Sequence, residues 1–257
     1  MASVSARSAG VLPDVAAGDD LAALVAAALG AERLQDGHVL AIAHKVVSKA
    51  EDAVVRLAGV VPSARARELA AALEQEGAGT RDPRAVQVVL DESAHVLRAQ
   101  RGVLICRTRH GFVCANAGVD ASNAPASETV VLLPRDPDGS ARRIRARLRE
   151  LTGRAPAVLI SDSFGRPWRH GQVDVAIGLA GLQPLDDWRG RRDARGLELA
   201  ATWLAVADAA AAVAELARAK DSREPVVVLE GLERYVTPVD GPGACALLRP
   251  SSEDLFA

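Results

Sequence analysis

Two apolar runs that each break off at an aspartate do most to limit what this chain can fold into. The stretches FVCANAGVDASN (112–123) and VLISDSFGRPWRHG (158–171) both open like buried strands, then pass into small residues around Asp120 and Asp162. A strand end can hold a carboxylate rigidly at the rim of a pocket. Oxygen ligands gather at both places, with Ser122 and Asn123 beside the first acid and Ser161 and Ser163 around the second. No nearby Cys or His pair has metal-ligand spacing, and hard oxygens suit Mg²⁺ or Mn²⁺ rather than zinc. Arg166, Arg169 and His170 then add positive charge next to the second acid, as phosphate chemistry requires.

Strand-like and helix-like stretches alternate around these runs without the regular rhythm of a doubly wound sheet, and hairpin-like pairs lie among them. That pattern predicts an α+β fold of mixed or antiparallel sheets with packed helices, in one unit spanning 1–257. Residues 20–29 are expected as a helix capped by Asp19 or Asp20 and closed near Gly30, and 38–48 as a strand. Helices are expected over 63–76, capped by Ser63, and over 83–98, with Asp82 as cap and Pro83 in first position. Residues 103–108 and 112–117 read as a hairpin, and 134–140 as a loop whose Ser140 caps a helix over 141–151. A buried strand at 157–161, a long Ala-rich helix at 196–219 and a last clear strand at 225–232 complete the pattern.

Acids and bases are interspersed at a formal net charge of −2, so no nucleic acid or anionic membrane is expected as a partner. The N-terminus lacks the apolar core of a signal peptide, and Asp208 and Glu215 interrupt the longest apolar helix. A cytoplasmic protein without a membrane span is expected. Three cysteines without a C-x-x-C pair fit a reducing compartment. Cys106 and Cys114 can face each other across the hairpin, as a disulfide or, the reading preferred here, as two buried reduced thiols.

Of 31 basic residues only three are lysines, and Lys45 and Lys49 fall within one five-residue window, with Lys220 far away. A compact ammonium fits against a phosphate where a planar guanidinium would not, so this pair is a candidate phosphate contact; the plain alternative is a chance pair on a solvated strand face. The absence of G-x-x-x-x-G-K-[ST] rules out a P-loop. Phosphates would instead be held by the lysines, Arg166, Arg169, backbone N–H groups and the metal. Arg142, Arg143, Arg145, Arg147 and Arg149 are expected on a solvated helix face, His95 as a partly buried structural residue, and Trp168, Trp188 and Trp203 in core or interface positions.

These motifs resemble the coenzyme F420-0:γ-L-glutamyl ligase family. The matching stretches are GVLPDVAAGDDL (10–21), AHKVVSKAE (43–51), DESAHVLR (91–98), HGFVCANAGVDASN (110–123), LLPRDPDGSA (132–141), ISDSFGRPWRHG (160–171), AIGLAGLQPL (176–185) and PVVVLEGL (225–232), in order along nearly the whole chain. The resemblance implies two intimately joined subdomains and an intertwined homodimer. It also implies a GTP-dependent ligase that adds L-glutamate to F420-0 in F420 biosynthesis. The lactyl carboxylate of F420-0 would attack the γ-phosphate, and the glutamate α-amine would then displace phosphate from the acyl phosphate. By resemblance, Asp120 and Asp162 are ligands of Mg²⁺ or Mn²⁺ and Ser163 supplies them a hydroxyl. Asn123 contacts the guanine nucleotide, and His44, Lys45 and Lys49 surround its phosphates. Leu12, Pro13, Asp14 and Val15 line the nucleotide pocket. The expected catalytic set is Asp120, Asp162, Lys49 and Arg166, with a role for K⁺ left open.

The chain also departs from the family pattern. Arg218 stands in the 218–225 loop where glycine is common, Asp52 and Asp174 stand where glycine is favoured, and Leu197 replaces a frequent arginine. Two other readings therefore stay open: a metal-dependent phosphohydrolase using the same acids, and a non-catalytic nucleotide-binding relative with a rebuilt loop.

Overall fold

A computed structural model describes residues 3–30, 33–76, 80–122 and 124–254. Along the chain run β1 (Ser5–Ser8), α1 (Leu21–Leu29), β2 (Val39–Ala43), α2 (His44–Ala50), β3 (Val54–Arg56), α3 (Ala64–Gln75), α4 (Pro83–Glu92), β4 (Ser93–Gln100), β5 (Val103–Thr108), β6 (Val113–Ala115), β7 (Thr129–Val131), α5 (Pro137–Thr152), β8 (Ala157–Arg166), β9 (Arg169–Ala180), β10 (Leu185–Asp187), β11 (Trp203–Ala205), α6 (Val206–Leu216) and β12 (Val226–Glu230).

The central sheet has the order β1-β12-β2-β8-β9, and only its β2–β8 pair is parallel. Its inner strands run apolar through β2, through Ala157–Ile160 of β8 and through Val226–Leu229 of β12, because both faces are covered there. Leu40 and Ile42 pack with Val25 of α1 and with Ile144 and Leu148 of α5. The alternate residues Val39 and Ala41 pack against Ala207, Ala211 and Ala214 of α6 on the opposite face. A smaller body, inserted between α2 and α5, has its own core. There α3 and α4 lay Ala66, Leu73, Val86 and Val89 on Leu104 and Cys106 of the three-stranded sheet β4-β5-β6. Val130 of the β3–β7 ribbon and Leu57, just past the end of β3, pack around Val88. The fold is α+β, as the irregular alternation of elements predicts.

Local chemistry explains the helix starts. The Asp20 carboxylate accepts from Ala23 N at 3.0 Å, Ser63 Oγ from Ala66 N at 3.2 Å, and Asp82 from Arg84 N at 2.8 Å, with Pro83 opening α4. A close approach decides how α5 lies on β9. A Cβ added at Gly178 would collide with the Pro137 carbonyl, so any larger residue would push the start of α5 off the sheet.

Several expectations fail for tertiary reasons. Residues 38–48 are not one strand: β2 stops at Ala43, where its pairing with β8 ends, and His44, Val47 and Ser48 turn one buried helical stripe inward. Helix 83–98 is cut at Glu92, because Ser93–Gln100 pairs with β5 through two bulges and so leaves His95 exposed on a strand. Asp136 rather than Ser140 caps α5, accepting from Gly139 N at 2.9 Å, while Ser140 Oγ donates to Glu51 at 2.5 Å. The 196–219 helix shrinks to α6, since Trp203–Ala205 pairs with β10. Trp168 and Trp203 are exposed rather than core residues. Arg145 is only 5% exposed, so the arginine run is not wholly solvated.

Cys106 and Cys114 are direct cross-strand partners in β5 and β6, and both are buried free thiols, whereas Cys245 is exposed. Burial raises the pKa of Cys106, and burial, followed by the charge of Asp162, pushes Cys114 up to about 12. Thiolates are the reactive form. Ellman's reagent at neutral pH should therefore label one thiol quickly and the other two only on unfolding; fast labelling of all three would contradict this packing.

Candidate active site

Strand pairing brings the site together. Ala43 and Ser161 are the last partners of the parallel β2–β8 pair, so the residues that follow, His44 and Asp162, emerge side by side. His44 Nε2 lies 3.2 Å from Asp162 Oδ1, an ion-pair distance, yet the ring nitrogen is buried and lacks a hydrogen bond of good direction among the described residues. Ser163 N donates to the same carboxylate oxygen at 2.8 Å. The next side chain on α2 reaches the other acid: Lys45 Nζ is 2.6 Å from Asp120 Oδ2 and donates to Ser122 Oγ at 2.5 Å. Consecutive residues of one helical turn thus hold the two aspartates that lie 42 positions apart in sequence.

Asp120 is placed by its backbone. It exchanges two hydrogen bonds with Val131, at 3.0 and 2.8 Å. The turn leading into it is left-handed at Asn116, Ala117 and Gly118, with φ of 50°, 52° and 74°. Such backbone is costly for alanine; the Asn116 side chain secures the turn by accepting from Leu104 N at 3.2 Å. Burial acts to raise the Asp120 pKa, but the hydrogen bonds from Lys45 and from Ser122 N and Oγ outweigh it and hold the carboxyl below its ordinary value. Lys49 sits one turn after Lys45. Burial lowers its pKa, the charges of Lys45 and Arg223 lower it further, and Asp14 opposes them. A partly desolvated ammonium in cationic company is suited to meet an anion.

The N-terminal segment closes the same side. Leu12 and Val15 are buried while Pro13 and Asp14 are exposed. Leu12 N donates to Arg223 O at 3.3 Å, and Arg223 Nη2 pairs with Asp14 at 2.7 Å. His44, Lys45, Lys49, Asp120, Asp162 and the 12–15 segment are thereby linked. Arg166 is not joined to them: it lies four residues beyond Asp162, roughly 13 Å along an extended strand, at the exposed β8–β9 tip, where its guanidinium donates to the His170 carbonyl. Ser163 Oγ donates to Asp174 Oδ1 at 2.6 Å, which leaves its lone pairs available. Asn123 lies outside the described residues.

The donor set suits a hard cation. Asp120 and Ser122 already cradle the Lys45 ammonium, itself a cation, and the buried His44 Nε2 beside Asp162 is left without a well-directed partner. Among the described residues no three His, Cys, Asp or Glu side chains cluster closely enough to enclose a metal. Mg²⁺ commonly takes one or two carboxylates and completes its shell with water and substrate phosphates.

The family model described as F420-0:Gamma-glutamyl ligase matches residues 10–231. The chain belongs to the F420-0:gamma-glutamyl ligase family. Among family members, the coenzyme F420:L-glutamate ligase of Methanothermobacter thermautotrophicus is 45% identical over 248 residues, 95% of each chain. That of Methanopyrus kandleri is 46% identical over 241 residues, covering 93% of this chain and 92% of its own. The Methanocaldococcus jannaschii enzyme is 39% identical over 224 residues, 87% and 86% of the two chains. Among the described residues no helix is long and apolar enough to cross a membrane.

The structure accounts for three of this family member's departures. Asp52 adopts φ 56°, a left-handed conformation that aspartate tolerates better than most residues. Arg218 and Asp174, unrelated in sequence, form a buried ion pair with side chains 10% and 4% exposed. Sequence patterns did not predict their partnership, although two charged departures of opposite sign were its visible trace.

Proposed function

We propose that this chain is a GTP- and divalent-metal-dependent ligase that adds L-glutamate to coenzyme F420-0. The observation that carries the reading is the convergence of Asp120 and Asp162 on the consecutive residues His44 and Lys45, at the site where this family member keeps two of its three lysines. Its likeness over nearly full length to enzymes named coenzyme F420:L-glutamate ligase supplies the substrates.

Amide formation in water needs an activated carboxylate, since hydroxide is a poor leaving group. In the proposed sequence the lactyl carboxylate of F420-0 attacks the γ-phosphorus of GTP, and the bond to the β-bridging oxygen breaks to release GDP. The glutamate α-amine then attacks the acyl carbon, loses a proton and expels inorganic phosphate. Asp120, Asp162 and the Ser163 hydroxyl would hold Mg²⁺ or Mn²⁺, which neutralises charge developing on the phosphates. Lys45 and Lys49 meet the remaining negative charge, the partly desolvated Lys49 most strongly. Leu12, Val15 and the neighbouring backbone shield one side from water. Arg166 reaches the phosphates only if the β8–β9 tip folds inward or a second protomer supplies its own, as the proposed homodimer would allow.

Mass spectrometry of F420-0 incubated with purified protein, GTP, Mn²⁺ and glutamate tests this. The expected result is product heavier by whole glutamyl residues, with GDP and phosphate formed only when both acceptors are present. Phosphate release without acceptors would establish a hydrolase, and tight GTP binding without any product would establish a non-catalytic relative; either outcome overturns the ligase reading.

A further inference from the structure

The Arg218 guanidinium bridges three pieces of chain. Its Nη2 donates to the Asp174 carboxylate and, at 2.7 Å, to Ser161 Oγ, while its Nη1 donates to the Pro225 carbonyl at 3.0 Å. Asp174 in turn accepts from Ser161 Oγ at 2.9 Å and from Ser163 Oγ at 2.6 Å, the two hydroxyls flanking Asp162. Its backbone N–H donates to Glu215 at 2.9 Å, which ties the unit to the end of α6. Two further basic residues pin the same loop: Lys220 to Gln172 on β9 at 3.0 Å, and Arg223 to Asp14 at 2.7 Å.

We infer that Arg218 and Asp174 are positioning residues, which clamp the 218–225 loop to the strand carrying Asp162 and orient the Ser163 hydroxyl for the nucleotide site. The clamp has two consequences. With its proton committed to Asp174, the Ser163 oxygen presents lone pairs away from that acid. Groups that orient a ligating side chain commonly change affinity or activity by about 10- to 100-fold. The loop, in turn, is held against the 12–15 segment through Arg223, so its position is set before any nucleotide arrives, and preorganisation of this kind raises affinity. The inference rests on the nucleotide-site reading given above.

The test uses the full chain and three variants, Arg218→Met, Arg218→Lys and Asp174→Asn, with melting temperature, the Kd of a fluorescent GTP analogue, and the KM for GTP and kcat measured for each. Arg218→Met and Asp174→Asn should raise Kd and KM by about 10-fold or more with a smaller change in kcat. Arg218→Lys keeps the charge but loses the fork to Pro225, so it should recover only part of the affinity. If Arg218→Met fails to fold, the shape-conserving Asp174→Asn carries the comparison. Folded variants with Kd and KM within about twofold of wild type, against an expected change of about 10-fold or more, overturn the positioning role. A wild type that binds the analogue but makes no product overturns the ligase reading alone, and the Kd comparison still decides the clamp.

Discussion

Asp162→Asn is expected to lower kcat/KM for glutamate addition by about 10²–10³-fold, or roughly 3–4 kcal/mol of transition-state stabilisation, while the protein stays folded. The amide has the shape of the acid and can still accept from Ser163 N through its oxygen. What disappears is the negative charge that faces His44 Nε2 and would take a cation. Asp120→Asn should behave alike, with a fold penalty of about 1–2 kcal/mol, because the amide keeps the shape of the acid but its half-buried pair with Lys45 loses a charge. Steady-state assays across a Mn²⁺ titration, beside thermal melts, would check both variants. Near-normal turnover by correctly folded Asp162→Asn at ordinary Mn²⁺ concentration would remove this acid from the catalytic set.

Arg145→Met should be the most destabilising change in the arginine-rich helix. The guanidinium donates to the carbonyls of Ala155, Pro156 and Thr237 at 3.3, 3.2 and 2.7 Å and to Asp240 at 2.8 Å. It also fills the space that a side chain at Gly181 would need, since a Cβ there would collide with its Cζ. Methionine keeps most of the volume but strands three carbonyls. A loss of about 3–5 kcal/mol follows, about 6–20 °C in melting temperature for a chain of this size. Arg147, two residues further along the same helix, bonds Asp20 and Glu150 in solvent, and Arg147→Met should leave the melting temperature nearly unchanged. Equal melting temperatures for the two variants would show that the buried network contributes little.

These two arginines mark where sequence patterns stop being informative. Both belong to a dense basic run with helical spacing, and nothing local distinguishes the one that turns inward. The short strands behave in the same way. Ser93–Gln100 continues a helical pattern through His95, but pairing with β5 offers its backbone groups partners that override local preference. Trp203–Ala205 leaves a helix-forming stretch for the same reason. At the site, Asp120 and Asp162 were legible because an apolar run that ends abruptly in an acid sets a charge at the edge of a core, where it is kept only with a partner to receive it. Lys45 and Lys49 stood out because lysine is so rare in this chain.

Sequence by itself determined the α+β class, the helix caps at Ser63 and Asp82 and an acidic cap at Asp19 or Asp20, the buried strand at 157–161, and the family to which the chain belongs. Each of these depends on neighbours within a few residues, or on motifs strung in order. Tertiary structure alone decided that His44 starts a helix beside Asp162, that Arg166 sits at an exposed tip, and that Arg218 finds Asp174 across 44 positions. Contacts of that kind form only when separate segments are brought to one place, and the free energy of burying a charge depends on what is already there to receive it.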